Sequence, residues 1–174
     1  MHVRGSGVNA DARNGDNAGQ DLVEPGGRLR LVVGDEVLFF SGDGTYRSKI
    51  GLTPQRARSV LGSYDAANRI LTVVHYTKPE GATRYVNSMW EIQDEPYGGD
   101  TVNSYNDGPP EPGVAPLGPF YELETSSPAA GLKPGESLTH THRTVHFQGT
   151  EDDLNAIAKK VLGVGLDTIT SALK

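Results

Sequence analysis

The chain reads as all-β and antiparallel, closing on a short helical segment. Three observations lead there. Glycine (22) and proline (11) are plentiful and punctuate the chain with turns. Between the turns lie short runs rich in β-branched and aromatic residues. Helix-favouring runs are rare until Thr150, where the pattern changes.

With 174 residues, the chain is long enough for one domain with its own core. We divide it into a flexible leader (1–27), a β domain (28–149) and a helical tail (150–174). The leader is rich in Gly, Asn and Asp and has no periodicity. RLRLVV (28–33) and VLFF (37–40) read as a hairpin across Gly34-Asp35. GDGTYRSKIG (42–51) turns and then re-enters a sheet, with Arg47 and Lys49 on one strand face. Its glycines do not make a phosphate loop, because no Gly-Lys-Ser/Thr follows. RARSVLGSYD is ambiguous between a helical turn and a strand. NRILTVVHYTKP (68–79) is the clearest strand, and TRYVNSMWEIQ (83–93) reads as its antiparallel neighbour across a Pro-Glu-Gly turn. Residues 94–118 read mostly as loop, with a short strand near Thr101–Tyr105. PFYELETSS (119–127) and SLTHTHRTVHFQG (137–149) read as strands that pair through the turn between them. TEDDLNAIAKKVLG opens on a capping-box pattern, Thr150 with Asp153. Acidic residues fill its first turn and Lys159-Lys160 its last, as the helix dipole favours. Leu154, Ile157, Ala158 and Val161 form its apolar stripe, and LDTITSALK suits a second short helix.

Charge and composition narrow the function. A net charge of -6, with Lys and Arg scattered, argues against nucleic acid and against an anionic membrane surface as partners. The lack of cysteine excludes thiolate metal sites, disulfides and cysteine nucleophiles. No stretch is apolar enough to span a membrane, and the first 20 residues lack the apolar region of a secretory signal. No cofactor is expected, and the compartment stays open.

Three groups of residues carry chemistry. His140, His142 and His146 alternate along one face of the last strand, while Thr141, Arg143, Val145 and Phe147 line the other, more apolar face. His140 and His142 are close enough to share one metal ion. His146 lies roughly 13 Å beyond His142 at about 3.3 Å per residue, too far for the same shell. The alternatives are a hydrogen-bonded strand face, a substrate-facing one, or a fragment of a metal site. Glu122 and Glu124 share one face of the preceding strand, and carboxylate with imidazole makes an acid/base set near neutral pH. They read equally as solvated carboxylates. The third group is Asn103, Tyr105, Asn106 and Asp107, with Glu95 and Asp100 nearby and Trp90 and Tyr97 as aromatic faces. Such mixtures recognise sugar hydroxyls and C–H surfaces, and they equally stabilise loops through Asx turns.

PGESLTHTH resembles the start of the first cupin motif, a Pro-Gly followed by His-x-His. The spacing from Gly135 to His140 is one residue short, the expected Glu is absent, and no second motif follows. A cupin-like metal protein using His140 and His142 is one alternative. A non-catalytic structural or interaction domain is another.

FYELETSSPAAGLKPGESLTHTHRTVHF carries a wider resemblance. A Leu-Glu strand, a Pro/Ala segment and LKPGES leading into a closing strand resemble the C-terminal end of galactose mutarotase-like proteins. GTYRSKIG, MWEIQDEPYGGDTVNSYNDGP and EDDLNAIAKKVLG resemble an uncharacterised bacterial family of that superfamily, over about Gly27 to the C-terminus. The resemblance implies an antiparallel β-sandwich, part of a supersandwich, with carbohydrate held in a groove. In aldose 1-epimerases a glutamate of the corresponding strand takes the proton of the anomeric hydroxyl, and a histidine protonates the ring oxygen. Glu124 matches that glutamate, with Glu122 second. The spacing to the following Pro departs slightly from the epimerase pattern.

The epimerase histidines lie upstream of that glutamate, in a half of the fold that this chain lacks. His140, His142 and His146 follow it and do not correspond. The resemblance therefore implies the C-terminal portion of the fold, either a truncated product or one that a homodimer completes. It implies carbohydrate binding or processing, with Glu124 as base and His142 or His140 as substitute acid. Arg47, Trp90, Asn103, Tyr105, Asp107 and His146 would contact the sugar, and no metal is called for.

Overall fold

The architecture follows from a strand that is apolar on both faces. The computed structural model describes residues 2–3, 9–11, 22–23, 29–34, 36–88 and 92–174. Among them the strands are β1 (His2–Val3), β2 (Asn9–Asp11), β3 (Leu22–Val23), β4 (Leu29–Val33), β5 (Leu38–Phe40), β6 (Ser48–Leu52), β7 (Val60–Asp65), β8 (Ile70–Tyr76), β9 (Val102–Asn106), β10 (Glu124–Thr125) and β11 (His142–Gln148). Two helices close the chain, α1 (Glu151–Val161) and α2 (Leu166–Ser171). The larger sheet runs β11-β8-β7-β1-β5-β4-β3 and the smaller β10-β9-β6-β2, with all their pairings antiparallel. The protein is an all-β sandwich with a short helical end.

β8 lies inside the larger sheet, and alternation sends its side chains to two cores. Val74 and Tyr76 join Leu31, Leu38, Phe40 and Leu61 of the same sheet and Ile50, Leu52 and Val102 of the smaller one. Leu71 and Val73 face outward and meet Leu154, Ala158, Leu162, Leu166 and Ile169 of the helical end. The molecule thus has three layers: small sheet, large sheet, helices. Gly62 of β7 allows the third layer to settle, because a Cβ there would stand 2.7 Å from the Thr72 carbonyl and 3.0 Å from Leu162 Cδ1. The α1 cap forms as its sequence predicts: Thr150 Oγ1 accepts from the Asp153 amide at 3.2 Å, and Gly163 follows the helix at φ 75°.

Several expectations are corrected. RARSVLGSYD (56–65), left open between a helical turn and a strand, is both in part: Arg56 and Ala57 close a turn on the Thr53 carbonyl, and β7 runs from Val60. The neighbours of β8 are β7 and β11, not residues 83–93. With both edges of β8 taken, the described part of 83–93 has no strand to join, and Tyr85 makes only an isolated bridge to Gly98. Trp90 and Asp35 lie outside the described residues. The 119–127 and 137–149 segments do not pair with each other: β10 joins β9 in one sheet, and β11 joins β8 in the other. Three short pieces of the 1–27 segment are strands, paired to β5 and β7, to β6, and to β4.

A buried ion pair ties the two sheets. Arg30 of β4 is fully buried and donates from both terminal nitrogens to Asp43, each at 2.6 Å. Its guanidinium also lies 5.4 Å from the centre of the Tyr46 ring. Asn106 of β9 holds the same turn, accepting from the Gly44 amide at 2.9 Å and donating to the Tyr46 carbonyl at 2.8 Å. Burial alone would raise the Asp43 pKa, but the Arg30 guanidinium and the Thr45 hydrogen bonds hold it far below the usual carboxylate range.

Asp43 is depressed in the folded state, so its stabilisation is present above the unfolded value near pH ~4 and is lost as pH falls toward the folded one. Asp43→Asn would strand a buried guanidinium. Because the Asp43 side chain is 26% exposed, the expected cost is about 2 kcal/mol at pH 7, below that of a fully buried pair. Urea unfolding between about pH 2 and 7 checks this: the variant should also lose part of the acid-side decline in stability.

Candidate functional site

Strand alternation builds the candidate site on the outer face of the small sheet. Register places Lys49 opposite Tyr105 and Gly51 opposite Asn103, with Glu124 beyond Asn103. The β10 pairing extends past its two assigned residues. Asp107 donates its amide to the Phe120 carbonyl at 3.0 Å, Glu122 to the Tyr105 carbonyl at 2.7 Å, and Ser126 to the Thr101 carbonyl at 2.9 Å. The outward side chains therefore stand in three rows: Arg47, Asp107 and Phe120; Lys49, Tyr105 and Glu122; Gly51, Asn103 and Glu124. Leu123 and Thr125 alternate to the inner side, where Leu123 packs on the core between the sheets.

This face is densely hydrogen-bonded. Tyr105 donates its hydroxyl to Asp107 Oδ1 at 2.6 Å and accepts from Arg47 Nε at 3.4 Å. The Gly118 amide donates to Asp107 Oδ2 at 2.8 Å, and Phe120 stacks obliquely with Tyr105, centroids 5.8 Å apart. The Tyr105 hydroxyl holds the Asp107 pKa down, while burial and then Asp107 push Tyr105 up. Asn103 accepts from Ser88 Oγ at 3.0 Å. Gly51 leaves the space that the Asp100 carboxylate occupies, so a larger residue there would have to displace that side chain.

The carboxylates of β10 differ in environment. Lys49 Nζ lies 3.4 Å from Glu124 Oε2, an oxygen that is buried and accepts no hydrogen bond among the described residues. Partial desolvation and the Glu124 carboxylate push the Glu122 pKa up, with Lys49 opposing.

The histidines sit on the other side of β10. Thr125, which points inward, bridges His140 Nε2 at 2.9 Å and His142 Nδ1 at 2.8 Å. His140 Nδ1 meets Thr77 Oγ1 at 3.2 Å, and His142 Nε2 meets Thr144 Oγ1 at 3.1 Å. Thr77 Oγ1 also accepts the Thr141 amide at 3.0 Å. Donors and acceptors match along this chain in either direction with both imidazoles neutral. It fastens β10 of one sheet to the β8–β11 edge of the other. His146 stands apart, its Nδ1 2.9 Å from Thr72 Oγ1.

The structure thus brings together Arg47, Asn103, Tyr105, Asp107, Glu122 and Glu124. It places His140, His142 and His146 on the inter-sheet side, away from Glu124. Asn106 turns inward to the Asp43 turn. Sequence reading did not find Thr125 or the Asp43–Arg30 pair. Thr125 carried one usable signal, its place directly after Glu124, which alternation sends to the opposite face. Every ring nitrogen of His140 and His142 is engaged by a threonine, and among the described residues no cluster of three metal-ligating side chains forms. An open cleft of about 640 Å³ between Pro54–Ser59 and Lys78–Thr83 holds none of the predicted site residues. Among the described residues, no helix is long and apolar enough to cross a membrane.

Fold and face together define an all-β sandwich protein with a carboxylate-bearing polar sheet face. The chain belongs to the family of unknown function DUF6786, whose model matches residues 15–173. No curated protein and no solved structure matches it.

Thr125→Val keeps the shape and removes the bridging hydroxyl. The expected loss is about 1–2 kcal/mol of stability, with altered ring ¹⁵N signals for His140 and His142 and an unchanged His146. Histidine signals identical to wild type would show that the bridge does not persist in solution.

Proposed function

We propose that the protein binds a carbohydrate on the outer face of the small sheet and interconverts its anomers there, with Glu124 as the base. The observation that carries this reading is Glu124 itself. One of its oxygens is buried and accepts no hydrogen bond among the described residues, yet it stays beside a cation, in a row with Asn103. A carboxylate oxygen so placed has capacity to accept a proton. Asn103, Tyr105 and Asp107 are buried and brace the face from beneath, leaving Lys49, Glu122 and Glu124 to meet hydroxyls and the half-buried Phe120 to offer an aromatic surface for C–H groups. The resemblance of YELETSSPAAGLKPGES to the closing strands of mutarotase-like proteins supports the same residue.

The charges on the face favour an uncharged sugar. Lys49 is answered by Glu124, and Arg47 reaches Asp107 through the Tyr105 hydroxyl. A phosphorylated or carboxylated sugar would bring an anion to a face whose cations already have carboxylates.

Polarimetry on freshly dissolved α-glucose and α-galactose tests the reaction. Wild-type protein at micromolar concentration should speed mutarotation, and Glu124→Gln should slow it by about 10²-fold or more. Sugar binding without acceleration, read by NMR shifts at Tyr105 and Asn103, would leave a binding module. Glucose 6-phosphate should bind more weakly than glucose; tighter binding would overturn the uncharged-sugar assignment.

A further inference from the structure

We infer that Glu122, rather than a histidine, is the proton donor that works with Glu124, the two carboxylates dividing their roles because Lys49 sits on one of them. The inference rests on the carbohydrate reading above.

Continuous pairing of residues 120–126 along β9 fixes Glu122 and Glu124 on one face, their Cα atoms roughly 6.6 Å apart at the usual strand rise. Two neighbouring carboxylates do not share a charge evenly when a cation touches only one of them. Lys49 Nζ lies 3.4 Å from Glu124 Oε2, so the cation favours negative charge on that carboxylate. The upward shift of Glu122 agrees: partial desolvation and the Glu124 charge raise it and outweigh the opposing charge of Lys49. Environments that push two carboxyls apart are the usual mark of an acid and base pair. The histidines are not placed for this step. Their ring nitrogens are spent on Thr77, Thr125 and Thr144, on the opposite side of β10.

The step balances without a co-reactant. Glu124 takes the proton of the anomeric hydroxyl while the bond from C1 to the ring oxygen breaks. Glu122 gives its proton to that ring oxygen. The products are the open-chain aldehyde, a protonated Glu124 and an ionised Glu122. Closure on the other face of the carbonyl reverses both transfers and restores the starting protonation.

Two measurements decide it. Carboxyl ¹³C titration of the full chain should find Glu122 titrating at higher pH than Glu124, with its midpoint lowered in Glu124→Gln. Glu122 is exposed, so Glu122→Gln leaves packing intact. Across a pH series it should slow mutarotation by about 10²-fold, mainly in kcat, and abolish the alkaline limb of the profile. Glu122 titrating at or below Glu124 overturns the assignment. So does an active wild type whose Glu122→Gln variant keeps its rate and alkaline limb, and that result leaves the sugar reading standing. A wild type that accelerates no aldose removes the sugar reading and the donor role together.

Discussion

The small sheet depends on the Arg30–Asp43 pair. Arg30 lies on a strand of the large sheet and is fully buried, so its charge must be answered inside the protein. Asp43 does so with both oxygens. Asn106, at the end of β9, then holds the backbone on either side of Asp43 through Gly44 and Tyr46. The turn is therefore locked to both sheets at once. Arg47 and Lys49 follow it directly, and Asp107 follows Asn106. Any shift of the turn would move these three outward side chains together. A structural ion pair on the inside sets the spacing of the polar face on the outside.

β10 passes that order across to the second edge. Its alternation divides two tasks between adjacent residues. Glu122 and Glu124 face outward to Lys49. Leu123 enters the core, and Thr125 meets His140 and His142. The histidine bridge thus restrains the backbone that carries Glu124 without touching its carboxylate. Such a restraint is valuable on an edge strand, which has a neighbour on one side only.

Much of this was legible locally, and little of it across space. β8 was readable because Ile70, Leu71, Val73 and Val74 crowd a short run, and α1 because Thr150 and Asp153 cap it. Alternation correctly grouped Glu122 with Glu124, and His140 with His142 and His146. β9 was half legible. Asn103, Ser104, Tyr105 and Asn106 look like loop residues, yet all are buried, and their polar groups are satisfied: Asn103 and Asn106 accept from Ser88 and the Gly44 amide, while Ser104, Tyr105 and Asn106 donate to the Glu122 carbonyl, Asp107 and the Tyr46 carbonyl. Partners were not legible. Residues 83–93 have strand-like composition, but composition does not report that both edges of β8 are already filled. The same blindness joined the histidines to Glu124. Alternation gives the face of each strand, and only the sheet order says which faces meet.

The layering explains why the polar face lies where it does. The large sheet has no face to spare: one side meets Ile50, Leu52 and Val102, and the other meets the helical end through Leu71 and Val73. The inner face of the small sheet belongs to the same core. That leaves the outer face of the small sheet as the sheet surface, among the described strands, on which charges can gather without disrupting apolar packing. A helix docked there would have needed apolar residues where Lys49, Tyr105 and Glu124 stand. The helices lie on the far side of the large sheet, and what reaches this face instead is polar: Ser88 bonds Asn103, and the Asp100 carboxylate lies over Gly51. Glu122 and Glu124 are held by a backbone ladder to β9, and that fixed separation is what the proposed proton-transfer pair requires.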